Sequence, residues 1–118
     1  MTIDELADRL VTLCREGNYE QAQRELYSND AKSIEPTSAQ GMPSVQGLDA
    51  IIAKGNQFQR MIQEIHGGHV GGPLIAGNTI AITISLDATF TDGTRQTINE
   101  LAVYTVQNGK IIEEQFFY

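Results

Sequence analysis

The sequence predicts an α+β fold, with three helices in the N-terminal half packed on one face of a strongly curved, mainly antiparallel sheet. Three observations carry this. From Pro73 to Tyr118 the chain reads as apolar, β-branched runs separated by Gly77-Asn78, Asp92-Gly93 and Asn108-Gly109. Asn-Gly and Asp-Gly between alternating runs are the strongest short-range hairpin signals, because both central turn positions take positive φ. Gly-Asn is a weaker one, and three turns in succession make a meander. Before this meander, apolar residues recur at helical spacing. Within it, Ile80, Ile82, Ile84, Leu86 and Phe90 share one strand face, with Thr79, Thr83, Ser85, Asp87 and Thr89 on the other.

The elements follow in order. Thr2 to Arg15 reads as a helix, because Thr2 and Glu5 have capping-box spacing and Ile3, Leu6, Leu10 and Leu13 lie on one face. Gly17 is placed to stop it. Asn18 opens a second helix, with Gln21 as its box partner and Tyr19, Ala22 and Leu26 as its apolar stripe. Ala31 to Glu35 is a short strand ended by Pro36, and Thr37 to Gly47 is a loop rich in Ser, Gln, Gly and Pro. Leu48 to Ile65 is the third helix, with Leu48, Ile51, Ile52, Phe58, Ile62 and Ile65 inward and Gly55 as a weak point near its middle. The pairs Gly67-Gly68 and Gly71-Gly72 predict a flexible or strongly bent entry to the sheet. The later strands are expected at about Leu74–Ala76, Thr79–Thr91, Arg95–Gln107 and Lys110–Tyr118.

At 118 residues there is room for one domain, residues 1–118, and one core. No apolar run is long enough to cross a membrane, and the first residues are acidic, so neither a membrane partner nor a signal peptide is expected. The single cysteine, Cys14, fits a reducing cytoplasm. A formal charge of −7 without a Lys/Arg cluster argues against nucleic acid, which needs concentrated positive charge.

The order of elements, and the pieces ELYSNDAKSIEP (residues 25–36), GLDAI (47–51), GNTIAI (77–82) and VYTVQNGKIIEEQFF (103–117), resemble the SnoaL-like branch of the nuclear transport factor 2-like superfamily. That group includes polyketide cyclases and ketosteroid isomerases. The resemblance spans nearly the whole chain. It implies a cone-shaped, cystatin-like fold whose inner sheet face and helices line a pocket, and whose outer sheet face makes a homodimer. It does not transfer a reaction, because this architecture hosts enzymes, binding modules and assembly domains.

Glu35 is the catalytic candidate. The carboxylate base of ketosteroid isomerases resembles it in place, as the residue before a proline at the end of a similar segment. A carboxylate desolvated at a pocket mouth has a raised pKa and can shuttle protons; the plain alternative is a surface Glu at a strand end. The tyrosine and protonated acid that stabilise the enolate in those enzymes correspond here to about Leu10 and Ala102. Neither side chain can donate a hydrogen bond, so that steroid chemistry is not expected.

Substitutes stand nearby. Glu100, Ala102 and Tyr104 share a face by period-two alternation, and the resemblance places Ile112, Glu114, Phe116 and Tyr118 inward on the last strand. A Tyr104–Glu114 pair across adjacent strands either polarises a ligand oxygen or simply fills the core with a cross-strand hydrogen bond. Phe58, Phe116, Glu100 and His66 complete the expected ligand-binding set. His66 also sits where a charge would meet the end of the third helix. His66 and His69 lack the further convergent ligands that a metal needs, so no metal is expected, and the resemblance implies no cofactor. If Ala102 is inward, Leu101, Val103 and Thr105 face outward, and a homodimer through this face is expected.

The expectation is a homodimeric protein that binds a small apolar organic molecule, with cofactor-free isomerase- or cyclase-type acid–base chemistry by Glu35. The alternative is a non-catalytic binding or dimerisation module whose pocket is plugged by Phe58, Met61 and Phe116.

Overall fold

The computed structural model describes residues 1–38 and 42–118. In chain order the elements are α1 (Ile3–Arg15), α2 (Tyr19–Leu26), β1 (Tyr27–Ile34), β2 (Val45–Gln46), α3 (Leu48–Arg60), β3 (Ile62–Ala76), β4 (Thr79–Phe90), β5 (Arg95–Gln107) and β6 (Lys110–Phe117). The strands form one open sheet in the order β2-β1-β6-β5-β4-β3. Among the described residues only β1 and β6 run parallel; the other pairs are antiparallel.

The first helix begins as its sequence dictates. The Thr2 side chain accepts from the Glu5 amide at 3.2 Å, and the Glu5 carboxylate accepts from the Thr2 amide at 2.9 Å. This reciprocal cap satisfies two of the helix's unpaired donors. The helix buries Leu6, Leu10 and Leu13 in the same core as Ile80, Ile82 and Ile111 of the sheet. Each such side chain stabilises the fold by about 1.5–3 kcal/mol. The second helix starts without its expected box. Asn18 makes no side-chain cap bond, and Gln21 donates to Glu25 at 2.8 Å instead.

The three turns fall where expected, but not all by the same geometry. Asn108 and Gly109 both have positive φ, 52° and 75°, as the tightest hairpin turn requires. At Gly77-Asn78 and Asp92-Gly93 only the glycine is left-handed. The loop expected from Thr37 to Gly47 contains β2, and residues 39–41 of it lie outside the described residues.

Three expectations are corrected. The third helix ends at Arg60 rather than Ile65, and β3 runs through both glycine pairs as a 15-residue strand. Pairing along nearly the whole of β4 outweighs the weak strand propensity of glycine there, and register shifts at Ile62/Glu64, Ile65/Gly67 and Gly71/Leu74 break the period that would have revealed it. At Gly72, φ is +103°, and an added Cβ would lie 3.1 Å from the Ala81 carbonyl oxygen. Gly68, Gly71 and Gly72 therefore let β3 lie close against β4, whereas a Cβ at Gly67 would meet nothing within 4 Å. Next, β1 starts at Tyr27, four residues earlier than expected, because a bulge against β6 interrupts its alternation. Finally, Ile111, not Ile112, is the buried residue on β6. A register shift opposite Thr105/Val106 leaves Ile112 as the extra residue, so Ile111 and Glu114 both point inward.

Gly55 is confirmed inside α3, and an added Cβ there would meet only Gln23 at 3.7 Å, an ordinary contact. Gly55→Ala is expected to raise stability by about 0.5–1 kcal/mol in urea denaturation, through lower unfolded-state entropy. An unchanged or lower midpoint would mean that the contact with Gln23 is strained.

Candidate functional site

The helices cover one sheet face, and between the two layers lies a cleft of about 1640 Å³. This is more than one small ligand needs, because the cleft runs out along the exposed ends of β4 and β5 past Asp92, Gln96 and Thr97. Its enclosed end is lined by Tyr19, Tyr27, Lys54, Glu100, Tyr104 and Glu114. Tyr27, Lys54, Tyr104 and Glu114 are buried there.

Period-two alternation on β5 places Glu100, Ala102 and Tyr104 on the inner face, with Ala102 fully buried. Tyr104 stands directly opposite Glu114 in the β5/β6 ladder. The two do not hydrogen-bond to each other, so the cross-strand bond that was one of the two expected roles of the pair is not formed. The Glu114 carboxylate accepts instead from the Tyr27 hydroxyl and from Ser33 Oγ, the latter at 2.6 Å. Tyr104 packs edge-to-face on Tyr27, with ring centroids 6.5 Å apart.

Glu35 follows β1 and turns its side chain into the cleft, where that side chain is 7% exposed. Lys54 Nζ donates to Glu35 Oε2 at 2.8 Å and the Tyr118 hydroxyl to Oε1 at 2.7 Å. Lys54 also donates to Ser33 Oγ at 2.7 Å and to the Pro43 carbonyl at 3.2 Å. A continuous chain thus runs Tyr27–Glu114–Ser33–Lys54–Glu35–Tyr118. Lys54 Nζ further lies 5.7 Å from the centre of the Phe116 ring, within cation–π range.

The carboxyl groups differ in environment. Burial pushes the Glu114 carboxyl up, opposed by its hydrogen bonds from Ser33 and Tyr27. Glu100 has no such partner among the described residues. Burial first, then the charges of Glu35 and Glu114, raise its pKa to about 7. Burial likewise drives the Tyr104 phenol well up and Tyr19 to about 12, with the charge of Glu100 adding to both. Cys14 also lines the cleft, but burial pushes its thiol up to about 12, which leaves it a poor nucleophile.

Of the expected residues, Glu35, Glu100, Tyr104, Glu114, Phe58 and Phe116 all line this cleft. Phe58 stacks edge-to-face on Phe90, with centroids 6.2 Å apart. His66 does not join them. It lies exposed on β3, its ring Nε2 2.7 Å from Thr89 Oγ1, and the helix end it was expected to meet is at Arg60. Among the described residues no group of three or more His, Cys, Asp or Glu side chains could hold a metal ion. Tyr27, Ser33 and Lys54 were not anticipated. Two signals were available: Lys54 falls on the stripe of Ile51 and Phe58 at i+3 and i+7, and Ser33 alternates with Glu35 on one strand face.

Among the described residues no helix is long and apolar enough to cross a membrane. A search of the curated proteins finds no match. The sequence profile described as SnoaL-like domain matches residues 1–118. A crystal structure from Mesorhizobium loti, described as a SnoaL-like polyketide cyclase with carbohydrate phosphatase in brackets, is 34% identical. It covers 100% of both chains with a TM-score of 0.89. A Pseudomonas putida structure described as a polyketide cyclase is 16% identical over 100% of this chain and 92% of that one, with a TM-score of 0.72. A Xanthomonas campestris protein of unknown function with a cystatin-like fold is 17% identical over 99% and 90%, with a TM-score of 0.79. The two last likenesses speak for the fold alone; the profile and the Mesorhizobium loti structure go further, and by them this chain belongs to the SnoaL-like domain family.

Proposed function

We propose that the cleft binds a small, largely apolar organic molecule and moves a proton on it without a cofactor. Glu35 is the base in this reading, and Glu100 with Tyr104 holds the ligand's polar group. Glu114 acts behind them, fixing Tyr27 and Ser33. The observation that carries the reading is the convergence of three carboxyl groups in unlike environments on one semi-enclosed cleft. Glu35 is paired to a lysine, Glu114 is held by neutral donors, and Glu100 is unpartnered among the described residues. Environments that push carboxyl groups apart are how one site supplies both an acid and a base near neutral pH. A phosphate ester fits this end poorly, because it would face those carboxylates with Lys54 already engaged.

The test is deuterium incorporation into a panel of small carbon acids in D2O, followed by NMR. The protein is expected to catalyse exchange into compounds that bind the cleft, and Glu35→Gln to lower it at least about 100-fold. The amide is nearly isosteric, but it leaves Lys54 beside a neutral partner, so some stability is lost and the assay belongs well below the melting temperature. Binding without exchange across the panel withdraws the enzyme and leaves the binding module.

The reading includes a homodimer through the outer sheet face. Leu101 is 39% exposed and Phe117 48%; they pair across β5 and β6, with Val103 beside them on the same face. A patch of this kind is better covered than wet. Val103→Lys is expected to weaken association at least tenfold in sedimentation, while shifting the folding midpoint little. A wild-type monomer at micromolar concentration sinks this part of the reading.

A further inference from the structure

One step deepens that reading and rests on it: the chemistry of the polar group that Glu100 and Tyr104 hold. The enclosed end of the cleft carries three carboxyl side chains and one lysine. The three protons of the Lys54 ammonium are all placed, on Ser33, Glu35 and the Pro43 carbonyl. Arg15, on the same lining, donates through Nε to the Val70 carbonyl at 3.1 Å. Neither cation makes a hydrogen bond to Glu100.

Two tyrosines line the cleft together with Glu100. Tyr104 shares the inner face of β5 with Glu100, and Tyr19 from α2 lines the same cleft. Among the described residues neither hydroxyl has a hydrogen-bond partner. Tyr104 is only 3% exposed, yet it lines the cleft. A nearly buried hydroxyl facing a cavity without a partner is a vacant hydrogen-bonding position. Glu35 after β1, Glu114 on β6, Lys54 on α3 and Arg15 on α1 also stand on this lining, so that with Glu100 three carboxyl groups face two cations.

We propose that the Tyr19–Glu100–Tyr104 end of the cleft seats a small organic ammonium ion, so that the ligand is an apolar molecule bearing one positive nitrogen. An anion would meet Glu100 where Lys54 is already engaged by Ser33, Glu35 and the Pro43 carbonyl. A neutral group would leave the desolvated Glu100 without compensation. A metal cation would want three or more ligands close enough to share it, and among the described residues no His, Cys, Asp or Glu group stands so. An ammonium ion gains from the carboxylate and from the phenol ring faces together, and the net charge of −7 favours its approach.

The experiment uses an isosteric pair, phenyltrimethylammonium and tert-butylbenzene, titrated into the isotopically labelled protein by NMR. The cation is expected to bind at least about tenfold more tightly at neutral pH. Glu100→Gln is expected to reduce that preference below about threefold while tert-butylbenzene still binds, which shows the cleft intact. Cation binding should also release protons, read as a dependence of the calorimetric enthalpy on buffer ionisation, because a cation favours the charged form of Glu100. Equal affinity for the two probes, or a preference that survives in Glu100→Gln, overturns the ammonium seat and leaves the pocket reading standing. Binding of neither probe overturns both.

Discussion

Replacing Lys54 with methionine is expected to lower stability by about 3–5 kcal/mol, the range for breaking a buried ion pair from one side. The Lys54 and Glu35 side chains are each 7% exposed, and their 2.8 Å bond lies between the helix and sheet layers. Methionine keeps most of the volume, so packing loss is small and the cost is electrostatic: Glu35 loses its cation, and Ser33 and Pro43 each lose a donor. The double variant Lys54→Met, Glu35→Gln should recover much of the loss, since the uncompensated carboxylate is then gone. Urea unfolding of the four proteins gives the coupling directly. A loss below about 1 kcal/mol for the single variant would mean that the pair is solvated and is not part of the core.

Glu100 gives the second large effect, and it depends on pH. Its pKa in the folded protein is raised to about 7, against 4.5 as the ordinary value. Below the ordinary value both folded and unfolded states hold the proton, and the group costs nothing. As pH rises toward 7 the unfolded chain has given up its proton while the folded chain still holds it. The folded state then loses ground until Glu100 ionises there too. With its partial exposure discounted, the penalty at pH 8 is on the order of 2 kcal/mol. Glu100→Gln should therefore be more stable than the parent at pH 8 by about that amount and no more stable at pH 4. An equal effect at both pH values would contradict this origin.

The division into a helical N-terminal half and a β-meander was legible because its signals are local: a capping box at Thr2 and Glu5, and three turns whose glycines all take positive φ. The inward face of β5 was equally plain, since strict alternation carries Glu100, Ala102 and Tyr104 together. What stayed hidden involved broken periods. The glycine pairs of β3 carry no side-chain pattern, and three register shifts scramble what remains, so the strand is specified by its partner β4. The same cause hid Ile111 and the start of β1. Within the site, Tyr27 and Ser33 meet Glu114 across 87 and 81 residues of chain. No local period encodes that meeting. It depends on the parallel pairing of β1 with β6, which connects the first strand to the last. Lys54 is different, because a lysine on an apolar helical stripe was visible; its partner was not.

The central property of the cleft is a glutamate whose proton leaves near neutral pH, beside another that is ion-paired. The direct measurement is a pH titration of the glutamate side-chain carboxyl resonances in protein labelled with carbon-13, with Glu100→Gln for assignment. One carboxyl resonance is expected to titrate near pH 7, following Glu100, and to be missing from the variant. A wild-type protein whose glutamates all titrate in the ordinary range of about 4 to 5 would contradict the account.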